Sequence, residues 1–331
     1  MIPCSLRRAD PIPAIARPMR ALWVLAMVVL AGCAAQTVPD SPRTQDPAAI
    51  RMATYNLHYV DLRDAPNPNW SLARWHERRG ALVQAVRDLD ADLLALQEVE
   101  AHNGHGNLPD PRLDWLLQAM PDYRVAAADF DNGVTPGQPI LYRGAVFAPL
   151  EEGFGFFDDP DAPFQSLRAF AGYPDAVTWA RLRHRVSGQP ITVFNVHLHF
   201  LDSDQRLRSA HRVLALAEVA QARGDAVFVI GDFNARRNSR TLRLFREAGY
   251  RLTEQRGATY HFNAGLHLFG AIDHMLHDTG SAPVGPSATV RRKPGGVWPS
   301  DHYPVVTYFR LLGSGAVNGP VPEEHQDRAD H

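Results

Sequence analysis

Residues Ala226–Asn234 read AVFVIGDFN. Ala226 to Ile230 is a β-branched and aromatic run of strand length, closed by Gly231. Side chains alternate faces along a strand, so Asp232 and Asn234 leave its end on one side. The same arrangement recurs along the chain. Arg51–Asn56 (RMATYN) is a strand candidate ending in an amide, and Asp92–Glu98 (DLLALQE) is a buried strand ending in a carboxylate. In Ile191–Phe200, the residues Asn195, His197 and His199 share one face, with Val196 and Leu198 on the other. Asp273 and His274 follow Ala271-Ile272, and Asp301 and His302 precede the apolar run from Pro304. Such groups at the ends of buried strands are expensive unless they pair or hold a metal.

Further out, Leu72, Trp75, Leu82, Val83, Val86 and Leu89 recur at helical spacing, which predicts an amphipathic helix over residues 71–89. Leu207, Ala210, Leu214 and Ala217 do the same over Asp204–Arg223, with Gly224 as the stop. Thr178–Arg183 and Ile191–Phe200 form a hairpin pair around Ser187-Gly188, and Val305–Leu311 is a last strand. Strands alternate with helices, but hairpins are interspersed. That mixture predicts sheets packed together with helices outside, not a Rossmann sheet.

The chain has 331 residues, 45% hydrophobic and 21% charged, which excludes a disordered or collagenous protein. Cys4 and Cys33 are the only cysteines. Both precede the folded part, so a disulfide framework and a cysteine zinc site are ruled out. Arg7, Arg8, Arg17 and Arg20 precede the apolar run Ala21–Ala31, which ends in Leu30-Ala31-Gly32-Cys33. The run has the length of a signal-peptide core and is short for a membrane span. Met19 offers an alternative start. The cysteine and its neighbours resemble the lipobox of bacterial lipoproteins, which implies acylation at Cys33, a cell-envelope location and, since Ala34 follows, the periplasmic side of the outer membrane. Losing residues 1–32 takes away four basic residues and one acid and moves the net charge from −2 to −5. The expected organisation is a signal peptide over 1–32, a proline-bearing tether over 33–49, one domain over 50–312 and a disordered tail over 313–331.

The ordered set Asn56, Leu96-Gln97-Glu98, Asn195-Val196-His197, Gly231-Asp232-Phe233-Asn234, Ile272-Asp273 and Ser300-Asp301-His302 resembles the endonuclease/exonuclease/phosphatase family, from Arg51 to about Leu311. The resemblance implies an α/β fold, a four-layer α/β/β/α sandwich of two packed, mostly antiparallel sheets flanked by helices. It implies a divalent-metal-dependent phosphoesterase using Mg²⁺, or Mn²⁺ or Ca²⁺. Glu98 would be the principal metal ligand, with Asn56 and Asp301 beside it. Asp232 would orient or deprotonate the attacking water and Asn234 would hold the phosphate. His302, fixed by Asp273, and His197 would contact phosphate oxygens. The chemistry agrees: a hard cation prefers such oxygen ligands and neutralises phosphoryl charge, and a carboxylate-held imidazole keeps its charge and tautomer. Two positions depart from the family pattern. His58 stands where many members carry an acid, and Asp175 where many carry a phosphate-binding arginine. Arg143, Arg181, Arg236 or Arg237 are the candidates to replace it.

The substrate is less legible. A net charge of −5 gives no global attraction to nucleic acid, although Arg236, Arg237, Arg240, Arg243 and Arg246 could form a local patch. The favoured expectation is a phosphodiesterase, nuclease-like or acting on a small phosphate ester, in a monomeric, lipid-anchored enzyme. The alternatives are a phospholipid or phosphoinositide phosphoesterase and a non-catalytic envelope binding module. Phe154–Phe157 and Phe164 are the nearest approach to a bilayer-entering apolar segment.

Overall fold

The computed structural model describes residues 46, 48–61, 67–99, 101–102, 107–108, 110–128, 137–157 and 176–313. The segments expected to be a signal peptide, with Cys33, and most of the expected tether, together with Phe164, Asp175 and residues 314–331, lie outside the described residues. In chain order the strands are β1 (Ala49–Asn56), β2 (Val60–Asp61), β3 (Leu93–Gln97), β4 (Ala101–His102), β5 (Asn107–Leu108) and β6 (Tyr123–Ala126). They continue with β7 (Ile140–Arg143), β8 (Phe147–Phe156), β9 (Ala176–His184), β10 (Pro190–His197) and β11 (Ala226–Asp232). The last are β12 (Arg251–Leu252), β13 (Asp273–His277), β14 (Ser281–Pro283), β15 (Ala288–Thr289) and β16 (Val305–Leu311). Four α-helices are described: α1 (Leu72–Leu89), α2 (Pro111–Ala119), α3 (Ser203–Ala222) and α4 (Arg240–Glu247).

One sheet runs β14-β16-β1-β3-β7-β6 with β15 on β16, and a second runs β12-β13-β11-β10-β9-β8. Pairing in both is antiparallel except for β1 with β3 and β10 with β11. The two sheets meet face to face through Ile50, Met52, Leu93 and Ala95 of the first and Ile191, Val193, Phe228 and Ile230 of the second. On the outer face of the first sheet, Tyr55, Leu94 and Leu96 pack on Leu82, Val86 and Leu89 of α1 and Leu116 of α2. Beyond the second, Phe194, Val227 and Val229 pack on Ala210, Val213 and Ala217 of α3 and Phe245 of α4. Helix, sheet, sheet and helix are the four expected layers. Each buried Val, Leu, Ile, Phe or Met among them contributes roughly 1.5–3 kcal/mol.

The helices form where their caps and apolar stripes dictate. Ser71, Asp202 and Ser239 accept N–H bonds from the first turns of α1, α3 and α4. Gly224, at φ 81, follows α3 as the left-handed stop. The buried stripe of α3 centres on Ala210, Val213, Ala217 and Ala220, with Leu207 and Leu214 at its margin. Small residues let the helix lie close on the sheet.

Strand period explains where the polar groups gather. Ile50 and Met52, then Thr54 and Asn56, lie on one face of β1, while Ala226, Phe228 and Ile230, then Asp232, lie on one face of β11. The layer between the sheets is therefore apolar for most of its length and polar at one end. A hydrogen-bonded seam closes the apolar part. Gln97 Nε2 donates to Asn195 Oδ1 across the sheets at 2.7 Å and to Thr54 Oγ1 at 3.0 Å. Asn195 Nδ2 donates to the carbonyls of Leu96 and Gln138 at 2.8 and 3.0 Å.

Gly231 must be glycine. Its φ is 144, and a Cβ there would stand 2.0 Å from the Val196 carbonyl oxygen of the neighbouring strand. Gly231→Ala is expected to lower unfolding free energy by about 3 kcal/mol or more. A urea midpoint within experimental error of wild type would contradict this.

Stability should also fall in acid through His274. The ring is 2% exposed, and Nε2 donates to the Ala235 carbonyl at 2.9 Å. Burial depresses its pKa to about 4, against the offsetting hydrogen bond. Between pH 6.5 and 4 the unfolded chain takes up this proton and the folded chain does not. Stability is thus complete above 6.5 and declines by about 3 kcal/mol as pH falls to 4. Urea titrations at pH 7 and 4.5 should show a smaller decline for His274→Gln than for wild type.

Candidate functional site

The polar end of the sandwich collects Asn56 and Glu98 from the first sheet and His197, Asp232 and Asp273 from the second. The turn before β16 adds Asp301 and His302. Asp232 Oδ2 is the meeting point: Asn56 Nδ2 donates to it at 3.2 Å, and the Nε2 atoms of His197 and His302 each lie 3.8 Å away. Asn56 Nδ2 also donates to Glu98 Oε1 at 2.9 Å, with His197 Nε2 3.9 Å from the same oxygen. Register accounts for part of this. His197 pairs with Asp232 on β10–β11, and Asp232 with Asp273 on β11–β13.

Each side chain is held from behind. Asn56 Oδ1 accepts the His58 N–H at 3.0 Å, and the Asn56 carbonyl accepts Ser300 Oγ–H at 2.6 Å. Glu98 Oε2 accepts the Tyr59 N–H at 2.6 Å. Asp232 Oδ1 accepts the Asn234 N–H at 2.8 Å, and Asn234 Nδ2 donates to the Leu198 carbonyl at 2.8 Å. Thr259 Oγ1 accepts the backbone N–H groups of Ile272 and Asp273 at 3.0 and 3.2 Å. Among the seven described non-glycine residues with positive φ, His58, Glu98 and Asn234 belong to this cluster. Conformational strain of this kind, about 1–3 kcal/mol per residue, gathers where surroundings over-determine the backbone.

Electrostatics separate Glu98 from Asp232. Burial would raise Glu98, but the His197 charge and the Asn56 hydrogen bond override it and push the group down to about 2. Burial, then the Asp273 charge, pushes Asp232 up to about 6. Burial disfavours a charged His302, yet Asp273, by charge and by the 2.9 Å contact with Nδ1, holds the ring well above the ordinary imidazole range. His302 is thus an imidazolium with Nε2 turned toward Asp232. His58, 3% exposed, is lowered by burial against Asp301, whose Oδ1 lies 3.4 Å from its Nδ1. It is a neutral ring.

Ligand atoms of Asp232, Asp273 and His302 all lie within 4.8 Å of one another. That trio is internally compensated, because a protonated imidazole donates and does not ligate. The donors that fit a hard divalent ion are the ionised Glu98, the Asp301 carboxylate and Asn56, with the neutral His58 ring adding a borderline nitrogen. Asn56 turns its N–H₂ toward Glu98 and Asp232, and its oxygen accepts the His58 N–H.

Two predicted phosphate-binding arginines are elsewhere. Arg143 bonds Asp90 Oδ1 at 2.6 Å and the Ala91 carbonyl at 3.0 Å. It follows Tyr142, which pairs with Leu93, five residues before Glu98 and therefore about 16 Å down the strand. Arg181 pairs with Thr192, equally far before His197, and is bound by Asp225 and Glu151. Both lie toward the far side of their sheets from the site, where Asp90 and Asp225 claim them. Arg236 is nearer, two residues past Asn234, exposed and 5.9 Å from the Phe269 ring. Arg237 donates to the Thr253 carbonyl. His199, expected on the His197 face, lies past the strand end, where Nδ1 accepts the Leu201 and Asp202 N–H groups. Residues that sequence reasoning did not single out are Tyr59, Thr259, Asn263 and Arg78. Arg78 left a signal, a charge on the apolar stripe of α1.

Residues 53–302 match the model of the Endonuclease/Exonuclease/phosphatase family. No curated protein matches the chain in sequence. Among solved structures, a mannosyl-6-phosphatase of Bacteroides thetaiotaomicron is 22% identical, with a TM-score of 0.63, and the match covers 78% of this chain and 99% of that one. An endonuclease/exonuclease/phosphatase family protein of Bacteroides thetaiotaomicron is 22% identical at TM-score 0.63, covering 79% and 97%. D. rerio TDP2 complexed with single strand DNA product is 15% identical at TM-score 0.56, covering 79% and 98%. These likenesses are of fold. Because the family match spans more than half of its length and includes Asn56, Glu98, His197, Asp232, Asp273, Asp301 and His302, the chain belongs to the Endonuclease/Exonuclease/phosphatase family.

Proposed function

We propose that this chain is a divalent-metal-dependent phosphoesterase that cleaves a phosphodiester, nuclease-like or in a small phosphate ester. The observation that carries the reading is the convergence of Asn56 Nδ2, His197 Nε2 and His302 Nε2 on one carboxylate oxygen of Asp232. Family membership supports it, as does the occurrence of a mannosyl-6-phosphatase and a DNA-bound TDP2 on the same fold. Glu98, Asp301 and Asn56 would hold Mg²⁺, Mn²⁺ or Ca²⁺, which when bound supplies Lewis acidity toward a phosphoryl oxygen. Asp232, poised near neutrality, holds the attacking water and takes its proton. His197, His302 and Asn234 bind the non-bridging oxygens, and Asp273 keeps His302 charged as that negative charge grows. The Leu30–Cys33 sequence supports an anchored location at the cell envelope.

Bis(p-nitrophenyl) phosphate turnover should be abolished by chelation and restored by Mg²⁺ or Mn²⁺. Asp232→Ala and His302→Ala should each lower kcat by two to three decades, ~3 kcal/mol, without unfolding the chain. Metal-independent turnover overturns the metal-dependent reading, and no turnover on any phosphate ester leaves a binding module.

One observation favours a phospholipid substrate as a second reading. Phe200, Leu201, Phe262, Leu266, Leu268 and Phe269 are exposed on the two loops beside His197 and His302, and they are six of the ten exposed large hydrophobic side chains described. Phe262 stacks on Tyr260, whose ring is 5.0 Å from His302. Apolar surface next to a polar site suits a substrate with an apolar part. The expected result for this reading is release of a phosphorylated head group from liposomes, no nicking of plasmid, and loss of liposome turnover alone in a Leu268→Asp, Phe269→Asp variant.

A further inference from the structure

Arg78 is out of place by composition. It lies on the buried stripe of α1 with Trp75, Leu82, Val86 and Leu89 and is itself 2% exposed. Among the described residues no carboxylate pairs with it. Its three hydrogen bonds all go to backbone carbonyls: Nη1 donates to Leu57 at 2.7 Å and to Pro299 at 2.6 Å, and Nη2 donates to His58 at 2.7 Å, while the guanidinium carbon lies 5.4 Å from the centre of the Trp75 ring. Arg112 of α2, fully buried and paired with Asp110, donates from Nη1 to the same His58 carbonyl at 2.5 Å. Two buried guanidinium groups thus meet at one carbonyl oxygen. Burial and the Arg112 charge lower Arg78 only to about 10, so it is charged at neutral pH. Carbonyls and an aromatic face compensate a buried charge only in part, and the carboxylates whose charge favours it are Asp301 and Glu98 of the site.

The reason lies on the other side of the same peptide groups. The Leu57 carbonyl shares a peptide unit with the His58 N–H, which donates to Asn56 Oδ1 at 3.0 Å. The His58 carbonyl shares a peptide unit with the Tyr59 N–H, which donates to Glu98 Oε2 at 2.6 Å. Each unit has a cation at its oxygen and a site side chain at its nitrogen. Polarisation along such a chain strengthens both hydrogen bonds. It also holds His58 at φ 62, without which neither N–H would point into the site. The third carbonyl, Pro299, opens the Ser300-Asp301-His302 turn, so the same guanidinium ties together the two segments that carry Asn56 and Asp301.

We infer that Arg78, with Arg112 beside it, is a positioning residue for the Asn56–Glu98 pair, acting through the two peptide units between Leu57 and Tyr59. The role rests on the metal-dependent reading for its consequence, cation affinity, but not for its structure. Lysine at position 78 keeps the charge and cannot span three carbonyls; glutamine keeps planar N–H donors and loses the charge.

The test is calorimetric titration of the full chain with MnCl₂, together with hydrogen exchange of the His58 and Tyr59 amides in the metal-free protein. Arg78→Lys and Arg78→Gln should weaken Mn²⁺ binding at least about tenfold, the scale on which outer partners of metal ligands act. Both amides should exchange at least about tenfold faster, while an Ile191→Val variant, in the core between the sheets, keeps wild-type values for both. Mn²⁺ affinity within twofold of wild type, or unchanged amide protection, in a folded Arg78 variant overturns the inference. Should wild type bind no Mn²⁺, the metal-dependent reading fails, and the amide exchange alone decides the role of Arg78. Should Arg78 variants not fold, Arg112→Lys tests the His58 carbonyl from the other helix, with faster Tyr59 exchange expected and unchanged exchange against it.

Discussion

Four carboxylates at the end of an apolar layer are a problem of compensation. Glu98, Asp232, Asp273 and Asp301 leave buried strand ends within a few ångströms of one another's partners, and isolated charges there would be prohibitive. Asp232 Oδ2 shows how the fold answers. It receives an amide from the opposite sheet and faces two imidazoles, while its second oxygen takes the Asn234 N–H. Two of the contacts that compensate the charge, from Asn56 and His302, are therefore also contacts between the sheets. Removing one partner exposes the others to the same penalty, so stability and site geometry are bound to each other.

The compensation is layered. Apolar side chains fill the space between the sheets, then Thr54, Gln97 and Asn195 form a neutral hydrogen-bonded seam, and only beyond it do charged groups begin. The seam lets polarity rise without leaving buried amides unsatisfied. Behind the charged layer stand Arg78 and Arg112, cations that reach the site through backbone dipoles. Such groups shape a site without touching what it binds.

Much of this was legible residue by residue. The pattern of an apolar strand ending in Asn, Glu, His or Asp marked Asn56, Glu98, His197, Asp232, Asp273, Asp301 and His302, because strand period tells which side chains face together and buried polar ends demand partners. Helices α1 and α3 were legible from their stripes, as was the absence of a Rossmann order from the hairpins, whereas the short α2 and α4 were not read in that way. Arg143 and Arg181 were misplaced because side-chain type carries no information about which end of a strand a residue occupies. Asp90 and Asp225, which claim them, are neighbours only after the sheets form. Asn195 was rightly put on the face of His197, yet it serves the seam one layer below, a distinction of about 7 Å along the strand.

The sequence by itself determined the fold class, the strand ends that would carry polar groups and the need for those groups to find one another, since alternation and burial cost are local rules. Tertiary structure alone decided which oxygen becomes the meeting point, that His302 is charged while His58 is neutral, and that a helix arginine reaches Glu98 through a peptide bond. Those outcomes depend on distances of a few ångströms between segments far apart in the chain, 176 residues for Asn56 and Asp232, and Coulomb energies and hydrogen bonds change steeply over that range.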